Sequence, residues 1–194
     1  MRGVYRMNKK TLALTTEQYH EIINTMRQGF SGFRANNRIA TALVLEANMG
    51  LRISDILKLR LSDIVRDGER YRLDIVEKKT GKARTFTVLT ELYNYIKMYC
   101  LENSIKPHEV IFPITERNVQ RQLKIVCDYL GYGDSISTHS FRKFFATQVY
   151  VNNDYNIIIV QRLLQHSNPQ ITQRYIGIEP KAIEDALQKH SCLL

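Results

Sequence analysis

Apolar residues recur along most of this chain at the three- and four-residue spacing of helices, and in one stretch they alternate instead. Thr15-Thr16-Glu17-Gln18 has the form of a capping box, and it opens a helix whose Tyr19, Ile22, Ile23 and Met26 share a face. The segment 29–32, with a glycine at each end, breaks that helix. A second helix follows over 37–49, with Ile39, Leu43, Val44 and Ala47 on one side, and Gly50 stands where a left-handed C-terminal cap belongs. Ser54 is then expected to cap a short helix through Leu59. Over 70–77 the period changes: Tyr71, Leu73 and Ile75 interleave with Arg72 and Asp74. A second β-rich run, 85–89, lies beyond Lys78-Lys79-Thr80-Gly81-Lys82, so the two predict an antiparallel hairpin around a glycine-containing turn. The remainder reads as helix. Thr90 leads into 92–101, Thr115 caps 118–130, Ser137 caps a helix to about Val151, and Asn156 caps 157–165. The Asn168-Pro169 turn precedes a short helix through Tyr175, and Ala182, Ile183, Ala186 and Leu187 share one side of a last amphipathic stretch. The fold class is therefore α+β, mainly α-helical, with one small antiparallel sheet in the first half.

Composition narrows what such a fold does. At 194 residues, 44% hydrophobic and 24% charged, the chain is long enough for a full core and reads as one domain rather than a disordered segment. The longest aliphatic run, Ile157-Ile158-Ile159-Val160, is far short of the roughly 20 residues of a membrane span. The basic N-terminus has no apolar stretch behind it, so no signal peptide is expected. Cys100, Cys127 and Cys192 are odd in number and form no CxxC pair, which disfavours disulfide scaffolds and zinc ribbons and fits the cytoplasm. A net charge of +9 points to a polyanionic partner, nucleic acid before an anionic membrane surface.

Several polar residues stand in places that invite chemistry, although none is decisive alone. Arg52 follows the helix stop, between Leu51 and Ile53, where a surface arginine would also serve. Lys79 sits at the hairpin tip, a commonplace position for lysine. His139 and Arg142 are three apart on a capped helix, so they share a face near a helix N-terminus that favours anions. An imidazole and a guanidinium there repel one another unless an anion joins them. His166 ends the helix 157–165, where the dipole alone would suit a histidine, and Tyr175 follows nine positions later.

Order and context change the picture. Gly50-Leu51-Arg52-Ile53-Ser54-Asp55, a hairpin Lys79-Thr80-Gly81, His139-Ser140-Phe141-Arg142, Leu163-Leu164-Gln165-His166-Ser167 and then Tyr175 closely resemble the tyrosine recombinase (phage integrase) family, over about residues 15–186. The resemblance implies a catalytic set of Arg52, Lys79, His139, Arg142, His166 and the nucleophile Tyr175. The implied function is site-specific DNA cleavage and rejoining, without metal or other cofactor, through a 3′-phosphotyrosyl intermediate. Two positions depart from the family pattern. Gln165 stands where glycine usually precedes the second histidine, and Asp55 replaces the usual glutamate. Gln165 asks only that its position tolerate a side chain, and Asp55 keeps the charge on a shorter arm.

The chemistry suits these groups. Negative charge builds on two non-bridging phosphate oxygens during transfer, and Arg52 and Arg142 offer paired donors whose charge does not titrate away. Only roughly one phenol in a thousand is ionised at pH 7, so Tyr175 needs neighbouring cations and a base such as His139. Lys79 is the candidate general acid for the departing 5′-oxygen, and His166 would donate to a phosphate oxygen. Residues 1–194 are read as a single catalytic domain, and the N-terminal core-binding domain of full-length members is expected to be absent from this chain. By the same resemblance the partner is double-stranded DNA, bound as a homo-oligomer in a tetrameric synapse, with the amphipathic C-terminal stretch packed in cis or onto a neighbouring protomer. Two other readings remain open from sequence: type IB topoisomerase-like relaxation, and a DNA-binding module that has lost turnover.

Overall fold

The computed structural model describes residues 11–77, 79, 81, 83–166 and 168–176. They form two compact units, divided between Phe145 and Ala146, and each unit is described by itself.

The first unit opens with α1 (Thr16–Gln28), begun by a full capping box: Thr15 accepts from the Gln18 amide, and the Gln18 side chain accepts from the Thr15 amide. Its Ile22, Ile23 and Met26 are buried against α2 (Asn37–Met49) and α5 (Glu116–Tyr129). Asn36 caps α2, and Gly50 ends it in the left-handed conformation at φ +60°. A side chain at Gly50 would also collide with the Phe145 ring, because a Cβ there would lie 2.2 Å from Phe145 Cδ1. Glycine is required here on both counts.

The short helix departs from expectation. α3 (Ile53–Ile56) starts directly after Arg52, which is its N-cap residue and makes no side-chain cap bond, so Ser54 lies inside the helix. A helix this short is held by burial of Ile53 and Ile56 rather than by its cap. A short 3-10 turn, Leu61–Asp63, then leads into a strand that the alternation did not reveal, β1 (Ile64–Asp67). β1 pairs antiparallel with β2 (Arg70–Val76), which pairs in turn with β3 (Ala83–Val88), giving a three-stranded sheet in the order β1-β2-β3. Leu73, fully buried, is the centre of the sheet and faces Ile64 on one side and Phe86 on the other. Tyr71 of β2 stacks on Tyr93 of α4 (Thr90–Glu102) at 3.7 Å, which seats the sheet on that helix. Cys100 and Cys127 are free thiols in this core, and burial pushes Cys127 up to about 12.

The division falls within α6 (Thr138–Asn152). On the first-unit part of α6, Phe144 stacks on Tyr19 at 5.1 Å and Phe141 is fully buried. The second unit holds the rest of α6, then α7 (Ile157–Leu164) and α8 (Pro169–Ile176), which lie against each other. Asn156 caps α7 through the amides of Ile158 and Ile159. Among the described residues no helix is long and apolar enough to cross a membrane. The amphipathic stretch expected around Ala182, Ile183, Ala186 and Leu187 lies outside the described residues.

Candidate active site

The first unit holds a cavity of about 390 Å³ lined by Arg52, Ile53, Ser54, Lys79, Glu116 and His139. Three of the sequence-predicted residues therefore meet around one space, although they come from a helix N-cap, a hairpin turn and a helix N-terminus. Each is delivered by a local device. The left-handed stop at Gly50 turns the chain so that Leu51 and Ile53 are buried and Arg52 between them faces out of the core. The β2–β3 hairpin carries Lys79 at its turn. His139, the second residue of α6, is exposed at the rim.

Arg52 is not left to solvent. Its Nη1 donates to Oε2 of Glu77, and the two side chains are 19% and 1% exposed. Sequence reasoning missed Glu77, since nothing in a single sequence pairs an arginine with a glutamate 25 positions on. Arg142 is more deeply set. It is 2% exposed, and its Nη1 donates to the carbonyl of Gly50 at 2.6 Å, so the residue that ends α2 also anchors the second arginine. Behind it lies Glu46, fully buried, also missed from sequence. Neither Glu46 oxygen makes a hydrogen bond of ordinary geometry among the described residues. Burial pushes this carboxyl well above the usual range, while nearby Arg142 and the Ile53 amide act in the opposite direction.

His139 feels the same charges. Protein atoms crowding its ring hold the imidazole below its ordinary 6.5, and Arg142, Lys79, Arg52 and Lys143 add to the effect. A neutral ring at pH 7 is one that can accept a proton.

In the second unit the other two predicted residues meet. The rings of His166 and Tyr175 lie edge to face with centroids 5.2 Å apart. His166 is set by α7: its amide donates to the Gln161 carbonyl at 3.0 Å, and its own carbonyl accepts from Gln161 Nε2 at 3.2 Å. Its Nδ1 lies 3.0 Å from the hydroxyl of Thr172, a fully buried residue on α8, so that nitrogen is occupied within the unit. Thr172 carried no sequence signal. Gln165 takes the left-handed conformation at φ +53°, which explains why glycine suits this position and corrects the expectation that mere room for a side chain is at issue.

Residues 13–181 match the phage integrase family. The chain is 34% identical over 151 residues to the probable integrase/recombinase YoeC of Bacillus subtilis, covering 74% of this chain and 80% of that protein. It is 30% identical over 156 residues to tyrosine recombinase XerC of Nitrobacter winogradskyi, covering 76% of this chain but only 48% of the relative. It likewise spans about half of two further XerC proteins, 50% and 47% of their lengths. Among solved structures, the XerH site-specific recombinase bound to palindromic difH substrate matches over 94% of this chain and 54% of its own, with TM-score 0.68 and 18% identity. The catalytic domain of bacteriophage HP1 integrase matches over 93% of this chain and 96% of its own, with TM-score 0.64 and 18% identity. These structural likenesses show the fold.

Proposed function

The chain belongs to the phage integrase family, and from that premise we propose that it provides the catalytic domain of a site-specific DNA recombinase. The observation that carries the proposal is the cavity where Arg52, Lys79 and His139 converge, with Arg142 one helical turn from His139. Two arginines and a lysine around a neutral imidazole form a site for an anion that must be held while its leaving group is protonated. A scissile phosphodiester is such an anion. The substrate is double-stranded DNA, a reading supported by structural neighbours such as XerH, bound to palindromic difH substrate, and the Tn1549 transposon integrase, in complex with a circular intermediate DNA. Assembly as a homo-oligomer on DNA, in a tetrameric synapse, and a cytoplasmic location follow from the same reading.

In this mechanism Arg52 and Arg142 hold the two non-bridging oxygens, and their charge stabilises the five-coordinate transition state. The Tyr175 hydroxyl oxygen bonds to phosphorus, and its proton passes to His139. The bond to the 5′-oxygen breaks as Lys79 protonates it, leaving a 3′-phosphotyrosine and a 5′-hydroxyl. His166, with Nδ1 engaged by Thr172, offers Nε2 to a phosphate oxygen. Because the phosphoryl bond is conserved in the ester, reversal by another 5′-hydroxyl rejoins DNA without ATP.

The test uses a library of nicked duplexes with a randomised core, from which the cleaved strand cannot religate. The expected outcome is an SDS-stable protein–DNA adduct that persists in EDTA and is absent with Tyr175→Phe. Adduct formation by that variant would overturn the nucleophile, and a strict need for Mg²⁺ would overturn the chemistry. Binding with no adduct would leave a DNA-binding module without turnover. Relaxation of supercoiled plasmid without strand exchange would make the chain topoisomerase-like.

A further inference from the structure

Glu77 is a glutamate that phosphoryl transfer does not require, yet it is 1% exposed and adjoins two residues the proposed chemistry uses. It directly follows β2 and stands two positions before Lys79. Its Oε2 accepts from Arg52 Nη1. Its carbonyl accepts the amide of Gly81 at 2.9 Å, closing the turn that carries Lys79. Gly81 adopts φ +65° at that closure, a conformation suited to glycine. Arg52 is itself fixed as the N-cap residue of α3, between buried neighbours. One residue thus fastens the hairpin through its backbone and docks it through its side chain, and Lys79 and Arg52 line the same cavity.

A carboxylate in this place has an electrostatic cost. It offsets part of the Arg52 charge and sets a negative group against an incoming phosphate. Its burial in turn depends on the ion pair. We infer that Glu77 is a positioning residue, which through Arg52 and Gly81 sets the Lys79 ammonium against the leaving 5′-oxygen. This rests on the assignment of Lys79 as proton donor. Phosphate binding at Arg52 and placement of the acid are then coupled through one side chain.

The test compares two forms of the duplex recovered in the adduct selection, one ordinary and one with sulfur in place of the bridging 5′-oxygen. A thiolate leaves without needing a proton, so a defect confined to the acid disappears on the sulfur substrate. With the full chain, Glu77→Gln should bind the ordinary duplex as tightly as the parent or more tightly. It should cleave that duplex roughly 10- to 100-fold more slowly, the scale of a displaced acid. On the sulfur duplex it should cleave within about threefold of the parent, as Lys79→Ala should, while Arg52→Ala stays impaired on both. Glu77→Asp keeps the charge on a shorter arm and should show a smaller loss with the same rescue. Undiminished cleavage of the ordinary duplex by Glu77→Gln would overturn the inference. So would an equal loss on both duplexes in Glu77→Gln and Glu77→Asp while Lys79→Ala is rescued. Failure of Lys79→Ala to be rescued would overturn the general-acid assignment itself, whatever Glu77 does.

Discussion

At His139, crowding by protein atoms and the cations of Arg142, Lys79, Arg52 and Lys143 all favour the neutral imidazole. The folded value is therefore lower than the unfolded one, and proton uptake below about 6.5 opposes folding. That loss of stability grows as pH falls through this window and is absent above it. An NMR titration should place the His139 ring below 6.5 in the free protein, and Lys79→Gln should move it upward. A value well above 7 would leave the ring protonated at neutral pH and remove the base from the mechanism. Gly50 is a second point where one residue serves two purposes. Gly50→Ala meets positive φ and the Phe145 ring together, and should cost about 1–3 kcal/mol in urea unfolding. It should also slow adduct formation, because the Gly50 carbonyl holds Arg142. Thr15→Ala is the control. It should lose about 1 kcal/mol of stability by removing the α1 cap while leaving cleavage by the folded protein unchanged.

Among the elements, those set by local signals are the most legible in sequence. α1 and α2 begin and end where caps and apolar spacing place them, since a cap needs only residues within one turn. β1 was less legible. Its burial pattern begins with one buried residue and then two exposed ones, so it has no alternation to read. It becomes a strand because β2 offers a paired edge. α7 carries the clearest element-scale prediction. Its C-cap residue Gln165 has φ +53°, so Gln165→Gly should stabilise the protein by about 0.5–1 kcal/mol. Relief of left-handed strain, about 1–2 kcal/mol, exceeds the extra entropy of an unfolded glycine. A lower thermal midpoint for Gln165→Gly would show that the glutamine side chain contributes more than its backbone conformation costs.

For the whole molecule, the +9 charge now divides into two kinds. Arg52, Lys79 and Arg142 are committed to a single phosphate in the proposed mechanism, and the remaining excess supplies a general field for a duplex. Binding to a duplex should weaken at least about tenfold between 50 and 200 mM salt, since each neutralised phosphate releases counterions. Affinity independent of salt in a fluorescence-anisotropy titration would exclude phosphate contacts as its source. The sequence by itself determined the helix-rich class, the placement of the caps and, through motif order, six candidate residues, because these depend on neighbours within a turn or on the order of short motifs along the chain. Tertiary structure decided how the chemistry is supported. Glu77 reaches Arg52 across 25 positions, and Gly50 receives Arg142 across 92. Such pairs form only when a core brings distant segments together and excludes water, so that an arginine or a carboxylate must find its partner inside the protein.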